Sequence, residues 1–226
     1  MFGSVVAVQD LTFDVPAGQV TGFLGPNGAG KTTTLRMILG LIQPTSGYAL
    51  VAGQPYAQLM SPRRTVGAAV EAMAAHPGRC GRDHLWALAA ATGASPQRVD
   101  EVVAQVDLTD VQHRRAGTYS LGMRQRLGLA AALLGDPEIL ILDEPANGLD
   151  PAGTVWLRSL LRDLAAQGRT VLVSSHVLSE VAQTADHILI VNEGRLRFDG
   201  PIGELHSAGR SLEEAFLQLT TPAPTS

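Results

Sequence analysis

The chain has 226 residues, of which 45% are hydrophobic and 17% charged, a balance that is typical of a globular protein and argues against a disordered one. Its net charge of −4 argues against a general nucleic-acid coat, because such binding draws on many Lys and Arg side chains. The single cysteine, Cys80, excludes a disulfide or a Cys-based zinc site within the chain, and no apolar stretch approaches the length that spans a bilayer.

The first element with a chemical signature is a glycine-rich loop between a predicted strand and a predicted helix. An apolar stretch ends at Val20–Leu24, and apolar residues at helical spacing run over residues 33–41. The loop fills every position of the pattern G-x-x-x-x-G-K-[ST] with Gly25, Pro26, Asn27, Gly28, Ala29, Gly30, Lys31, Thr32 and Thr33.

In this setting a row of backbone N–H groups and the positive end of the helix dipole converge on one point. Such a nest suits a triphosphate, with Lys31 reaching the β and γ phosphates and the Thr32 hydroxyl placed on Mg²⁺. The loop therefore predicts that the chain binds a nucleoside triphosphate.

Further along, two α/β parts enclose a part that predicts helices alone. Residues 1–70 hold the phosphate loop, and residues 71–136 have no convincing strand but three helical segments, at 82–91, 96–106 and 120–134. Residues 137–226 alternate again, with a strand at 138–142, a helix at 151–166, a strand at 170–174, a helix at 177–183 and a strand at 187–191. We expect one α/β domain, a mostly parallel sheet with an all-helical insertion.

The segment just ahead of residue 137 predicts a capped helix. Ser120 reads as the N-cap of a helix over residues 121–134, and Arg124 and Arg126 are expected on its solvated face. A helix N-terminus that begins Ser-x-Gly is also an anion site. Taken alone, the same residues more often belong to an ordinary capped helix.

Two carboxylates follow the next predicted strand. Residues 139–142 are apolar at four successive positions, as expected of a strand covered on both faces, and Asp143 and Glu144 come directly after them. Open parallel sheets bind their ligands at this end of their strands. Asp143 is suited to hold Mg²⁺, directly or through water, and Glu144 to polarise an attacking water as general base. The alternative is a pair of solvated carboxylates in a turn.

Together these segments resemble the ATP-binding subunit of ABC transporters over nearly the whole chain. Residues 25–33 resemble the Walker A motif, and residues 139–144 resemble Walker B with its catalytic glutamate. Residues 146–150 resemble the D-loop, and His176 resembles the switch histidine. The positions that resemble the ABC signature are Ser120, Leu121, Gly122 and Met123. Phe2 stands where the family stacks an aromatic side chain on adenine.

The resemblance implies the ABC-type P-loop NTPase fold, with a mostly parallel core, a small antiparallel β-subdomain and a helical subdomain at residues 71–136. It implies a Mg²⁺-dependent ATPase in which Lys31, Glu144 and His176 are catalytic. Two copies, identical or pseudo-symmetric, would sandwich two ATP molecules head to tail, with the signature on the partner's ATP and Asp150 at the dimer contact.

The same resemblance implies transport through a separate transmembrane permease subunit. The chain would then be peripheral, on the cytoplasmic face of the cell membrane, and would have no nucleic-acid partner. In the family's usual signature, Leu-Ser-Gly-Gly-Gln, a glycine and a glutamine stand where this chain has Leu121 and Met123. This variant resembles the branch that exports drugs and peptide antibiotics, and so favours export.

Two further departures concern Glu71 and the N-terminus. Glu71 stands where the family usually has a glutamine, and its carboxylate is a candidate ligand of Mg²⁺. The family normally has a strand ahead of the adenine-stacking aromatic, whereas here Phe2 follows Met1 directly. We expect the natural protein to carry one more strand upstream of Met1.

Two other functions stay open at this point. One is a nucleotide-sensing ABC module with weak hydrolysis, favoured by the unusual signature, and the other is a soluble ABC ATPase that is not coupled to transport. A GTPase is not favoured, because residues 147–150, Asn-Gly-Leu-Asp, lack the lysine of the guanine-reading Asn-Lys-x-Asp.

Overall fold

A computed structural model describes residues 6–70, 75–205 and 211–221. Its centre is a six-stranded sheet, built from β1 (Val20–Leu24), β2 (Val66–Ala69), β3 (Ile139–Asp143), β4 (Thr170–Ser175), β5 (His187–Asn192) and β6 (Arg195–Pro201). The strands lie in the order β2-β3-β4-β1-β5-β6. The first five are parallel, and β6 pairs with β5 in the antiparallel sense.

The helices surround this sheet. They are α1 (Lys31–Ile38), α2 (Pro62–Thr65), α3 (Gly81–Thr92), α4 (Pro96–Gln105), α5 (Leu121–Leu133), α6 (Pro151–Ala166), α7 (Leu178–Ala182), α8 (Ile202–Leu205) and α9 (Leu212–Thr220). Short 3₁₀ turns occupy Tyr56–Gln58, Thr109–Val111 and Ala116–Thr118. No helix in these ranges combines the length and apolarity needed to cross a bilayer.

Burial on both faces explains why the central strands are apolar at successive positions. Neighbouring residues of a strand point to opposite faces, so that Leu140 and Leu142 of β3 join one core cluster while Ile141 joins the other. The first cluster continues into the helical part between β2 and β3, where Leu85 of α3 and Val102 of α4 are fully buried. Sheet and helical part therefore share one core.

Most predicted elements are found within one or two residues of their predicted ends. The largest boundary error is in α1, which was predicted to run to residue 41 and ends at Ile38. Gly40 follows with φ of 66°, a left-handed conformation that commonly terminates a helix.

The antiparallel pairing of the sheet had the weakest signal in the sequence. Within residues 6–70, the only antiparallel pairing is an isolated bridge between Val51 and Gln54, and residues 6–19 contain no strand. Strand β6 was not predicted at all. Phe2 and Glu71, two of the predicted site residues, lie outside the residues that the structure describes.

Candidate functional site

The phosphate loop links the end of β1 to the start of α1. Gly30 is the N-cap of α1 with φ of 100° and ψ of 4°, a conformation that residues with a side chain rarely adopt. A Cβ at Gly25 would lie 2.3 Å from the Val191 carbonyl oxygen, so the loop also needs a glycine where it crosses β5. Asn27 and Gly28 form the exposed tip of the loop.

Lys31 is buried under this loop, with a relative exposure of 6%. Its Nζ donates hydrogen bonds to the carbonyl oxygens of Gly25, at 2.7 Å, and of Pro26, at 3.3 Å. It also lies 3.4 Å from Oε1 of Glu144. The cation is thus held at the phosphate loop by neutral acceptors and one carboxylate.

A second group of contacts joins the loop to the end of β3. The Thr32 hydroxyl donates to Oδ2 of Asp143 at 2.6 Å, and the Ser174 hydroxyl donates to Oδ1 of the same carboxylate. Mg²⁺ prefers oxygen ligands and is usually held by one or two protein groups together with waters and substrate phosphates. The Thr32 and Asp143 oxygens, side by side next to the phosphate loop, fit that donor set.

Glu144 lies between Lys31 and His176. Its Oε2 is 2.8 Å from Nδ1 of His176, while its Oε1 faces Lys31. The Glu144 backbone has φ of 50°, in the left-handed region that is uncommon for a residue with a side chain. The structure therefore brings together five of the residues that the sequence assigned to the site, Lys31, Thr32, Asp143, Glu144 and His176.

A cavity of about 380 Å³ opens beside the two carboxylates, between α5, α6 and the end of β3. Its walls include Val70, which directly precedes Glu71, together with Leu121, Glu144 and Trp156. The chain therefore passes this cavity immediately before the undescribed residues 71–74.

The four signature positions lie at the start of α5, against the loop over residues 146–150. Ser120 caps its own helix, since its hydroxyl accepts a hydrogen bond from the Met123 amide at 3.1 Å. Leu121 is 48% exposed and covers Gly148, where an added Cβ would lie 2.3 Å from the Leu121 side chain. Gly122 also packs closely, since a Cβ there would lie 2.9 Å from the Gly148 carbonyl oxygen.

The signature is not joined to the phosphate loop of its own chain. Within residues 6–70 and 75–205, Ser120, Leu121, Gly122 and Met123 make no hydrogen bond or ion pair with that loop. Asp150 is the N-cap of α6 and accepts a hydrogen bond from the Gly153 amide at 2.7 Å. Signature and D-loop positions therefore pack against each other, and Leu121 and Leu149 line the cavity beside Asp143 and Glu144.

Sequence reasoning missed Ser174 and misjudged Arg126. The Arg126 side chain, expected on a solvated face, is only 16% exposed. Its guanidinium lies 4.1 Å from the centre of the Trp156 ring and donates to the Val106 carbonyl oxygen at 3.0 Å. No local pattern signals this contact, because Trp156 lies on α6, thirty positions away along the chain.

Comparison with known families gives a match over residues 8–147 to the family described as ABC transporter. Among curated proteins, the bacitracin transport ATP-binding protein BcrA of Bacillus licheniformis is 42% identical over 217 residues, covering 95% of this chain and 71% of that protein. The lantibiotic transport ATP-binding protein SrtF of Streptococcus pyogenes is 33% identical, with 95% and 91% covered.

An uncharacterized ABC transporter ATP-binding protein, YhcH of Bacillus subtilis, is 47% identical over 195 residues, covering 84% of this chain and 63% of that protein. The chain thus spans less than two thirds of this relative's length. Among solved structures, one described as the ATP binding subunit of an ABC transporter has a TM-score of 0.84 and 27% identity, with 94% of this chain and 92% of that one covered.

Proposed function

The chain belongs to the ABC transporter family, and on this premise we propose that it is an ATP-binding subunit that hydrolyses Mg²⁺-ATP to drive export through a separate permease. The predicted family and fold class are both confirmed. The bacitracin and lantibiotic relatives support export of a peptide antibiotic or a similar compound as the transport step.

The observation that carries the proposal is the set of contacts at the carboxyl ends of β1 and β3. Lys31 donates to a carbonyl oxygen of its own loop, and Thr32 donates to Asp143. Glu144 lies against both Lys31 and His176. A cation, a hydroxyl and two carboxylates next to a phosphate loop are the groups that phosphoryl transfer to water requires.

In the proposed reaction the loop amides and Lys31 bind the triphosphate, with Lys31 leaving the Gly25 and Pro26 carbonyl oxygens for the phosphate oxygens. Thr32 and Asp143 would hold Mg²⁺, which neutralises phosphate charge when it is bound. Glu144 accepts the proton of the attacking water. His176 fixes one carboxylate oxygen of Glu144 through Nδ1, so that the other oxygen faces the phosphate loop.

The exposed start of α5 supports a composite site between two subunits. Ser120 is exposed, and among the described residues its hydroxyl bonds within its own helix. A helix N-terminus favours an anion. We propose that Ser120, Leu121, Gly122 and Met123 contact the ATP of a partner subunit in a head-to-tail dimer, with Asp150 at the dimer contact. Phe2 as the adenine-stacking residue, Glu71 as a further Mg²⁺ ligand and a peripheral position on the cytoplasmic face of the membrane belong to the same proposal.

Phosphate release by the purified chain tests this function. We expect release with Mg²⁺-ATP, none with excess EDTA, and a rate per subunit that rises with protein concentration because the active form is a dimer. ATP binding without phosphate release at any protein concentration would instead favour the nucleotide-sensing module. The presence of Leu121 and Met123 in place of the usual glycine and glutamine favours that alternative.

A further inference from the structure

Ser174, at the end of β4, has a hydroxyl that forms hydrogen bonds with both Asp143 and Glu144. It is fully buried and lies directly beside Asp143 in the parallel register of β3 and β4. Its hydroxyl donates to Oδ1 of Asp143 and accepts a hydrogen bond from the Glu144 amide at 2.9 Å.

In these two contacts the Ser174 hydroxyl is a donor to Asp143 and an acceptor from the Glu144 amide. A serine hydroxyl has a single proton to donate, and here that proton is committed to Asp143. The Thr32 hydroxyl donates to the other oxygen of the same carboxylate at 2.6 Å. Asp143 is therefore held at both oxygens, and the plane of its carboxylate is set by two hydroxyl groups on different elements.

The contact with the Glu144 amide holds a backbone conformation that the residue would not adopt by itself. Glu144 has φ of 50°, and such conformations persist where surrounding contacts enforce them. Its amide lies 2.9 Å from the Ser174 hydroxyl and 3.2 Å from the Ser174 carbonyl oxygen. One residue of β4 thereby directs the side chain of Glu144 toward Lys31 and His176.

We propose that Ser174 is a positioning residue for the ATPase reaction, orienting Asp143 toward Mg²⁺ and Glu144 toward the attacking water. This inference rests on the proposed function. Mutation of a residue that supports a metal ligand typically costs about 10–100-fold in metal affinity or activity. Ser174 would thus act through Asp143 and Glu144, without touching ATP.

Ser174→Ala removes the hydroxyl and keeps the backbone carbonyl that also accepts the Glu144 amide. We expect kcat to fall about tenfold, a barrier increase of about 1.4 kcal/mol, and KM for Mg²⁺-ATP to rise, because Mg²⁺ contributes less to the binding of ATP. The Mg²⁺ concentration at half-maximal rate should rise in the same variant. Ser174→Thr, which keeps a hydroxyl on a residue that suits a strand, should restore most of kcat.

A second measurement needs no turnover. In a Glu144→Gln background, titration calorimetry gives the ATP affinity with and without Mg²⁺, and adding Ser174→Ala should reduce the gain that Mg²⁺ provides. The affinity measured without Mg²⁺ should not change. This arm holds even if the wild-type chain hydrolyses nothing, so a failure of the proposed function and a failure of this inference are distinguishable.

Thr21→Val is the matched control, because Thr21 is fully buried in neighbouring β1 and its hydroxyl has no hydrogen-bond partner in residues 6–70 and 75–205. It should leave kcat, KM and the Mg²⁺ dependence unchanged, and thermal unfolding of each variant shows whether it is folded.

The inference is overturned if folded Ser174→Ala keeps the wild-type kcat and the wild-type effect of Mg²⁺ on ATP affinity. It is equally overturned if Thr21→Val reproduces the losses. If Ser174→Thr does not fold, the comparison of Ser174→Ala with Thr21→Val decides.

Discussion

The carboxyl end of the sheet and the helical part between β2 and β3 differ in the contacts that their polar side chains make. At the sheet, Lys31 lies against Glu144 and the phosphate loop donates a hydrogen bond to Asp143, all within a single chain. In the helical part, Ser120 is exposed, and among the described residues its hydroxyl bonds within its own helix. In the proposed head-to-tail dimer, Ser120 would thus belong to a site without contacting the rest of that site in its own subunit.

The largest expected effect tests the sheet side. Glu144→Gln keeps the shape of the side chain but removes the base, so hydrolysis should fall about 10²–10⁴-fold while ATP still binds. ATP-bound dimers should accumulate and be visible by light scattering after size-exclusion chromatography. Glu138→Gln is the matched control, because Glu138 is exposed beside the opposite end of β3 and should turn over ATP normally. Near-normal turnover of Glu144→Gln would remove Glu144 from the role of base.

The next effect tests the other charge on the sheet side. Lys31→Ala should weaken ATP binding by roughly 1.5–3 kcal/mol, the contribution of a charge-assisted contact, which is about 10–150-fold in Kd. Titration calorimetry measures this directly. Arg197→Ala removes a cation from β6, where it pairs only loosely with Glu193 at 3.8 Å, and should leave Kd unchanged. Equal affinity of Lys31→Ala and the wild type would contradict the placement of the phosphate.

A prediction for Ser120 tests the helical side and should separate binding from assembly. Ser120→Arg should change the ATP affinity of the monomer less than about twofold, because among the described residues Ser120 has no hydrogen bond to the phosphate loop of its own chain. It should abolish ATP-driven dimers and hydrolysis. A fall in monomer affinity as large as that of Lys31→Ala would mean that the signature reads the ATP of its own chain.

Ser95→Arg is the control for this variant. Ser95 caps α4 in the same helical part, accepting from the Arg98 amide at 3.2 Å, so both variants lose a helix cap worth about 0.5–2 kcal/mol. Only Ser120→Arg should lose dimerisation. Loss in both would assign the effect to helix stability.

The smallest effect tests how the two regions are joined. Asp136 accepts from Arg169, next to β4, at 2.8 Å and from Arg98 of α4 at 3.3 Å. Its carboxyl is 62% exposed, so Asp136→Asn should reduce stability only by about 0.5–1 kcal/mol. Asp100→Asn is the control, because it loses an ion pair with Arg82 that lies inside the helical part. A larger loss of stability in Asp136→Asn than in Asp100→Asn would show that an ion pair between the two regions contributes more than one within a region.

The pH dependence of this effect has a definite sign. The hydrogen bond from Arg169 lowers the pKa of Asp136 below its usual 3.8. A carboxyl whose pKa is lowered in the folded state contributes stability above the unfolded pKa and loses it as pH falls through the folded pKa. Urea unfolding should therefore show a gap between wild type and Asp136→Asn at pH 7 that closes below pH 3.8.

On the sheet side of the proposed site the sequence signals are local, and the structure brings their residues together. The glycine loop lies between one strand and one helix, and Asp143 follows directly on an apolar strand, so their meeting at one sheet edge follows from parallel topology. Ser174 escaped prediction because its role depends on which strand neighbours β3. Arg126 was misjudged because its partner, Trp156, comes from another helix. Strand β6 alternates weakly and ends in Gly200 and Pro201, which resemble a turn.

Lys31 of the phosphate loop also determines how the chain reacts with amine-directed reagents. Lys31 is the only lysine in the 226 residues, and every other basic side chain that stays charged at neutral pH is an arginine. The chain therefore offers a single side-chain amine to acylating reagents, and it lies behind the Gly25 and Pro26 carbonyl oxygens with 6% of its surface exposed. Amine-directed labelling of these 226 residues, with peptide mapping to separate Lys31 from the N-terminal α-amine, thereby reports whether the nucleotide loop is open or filled.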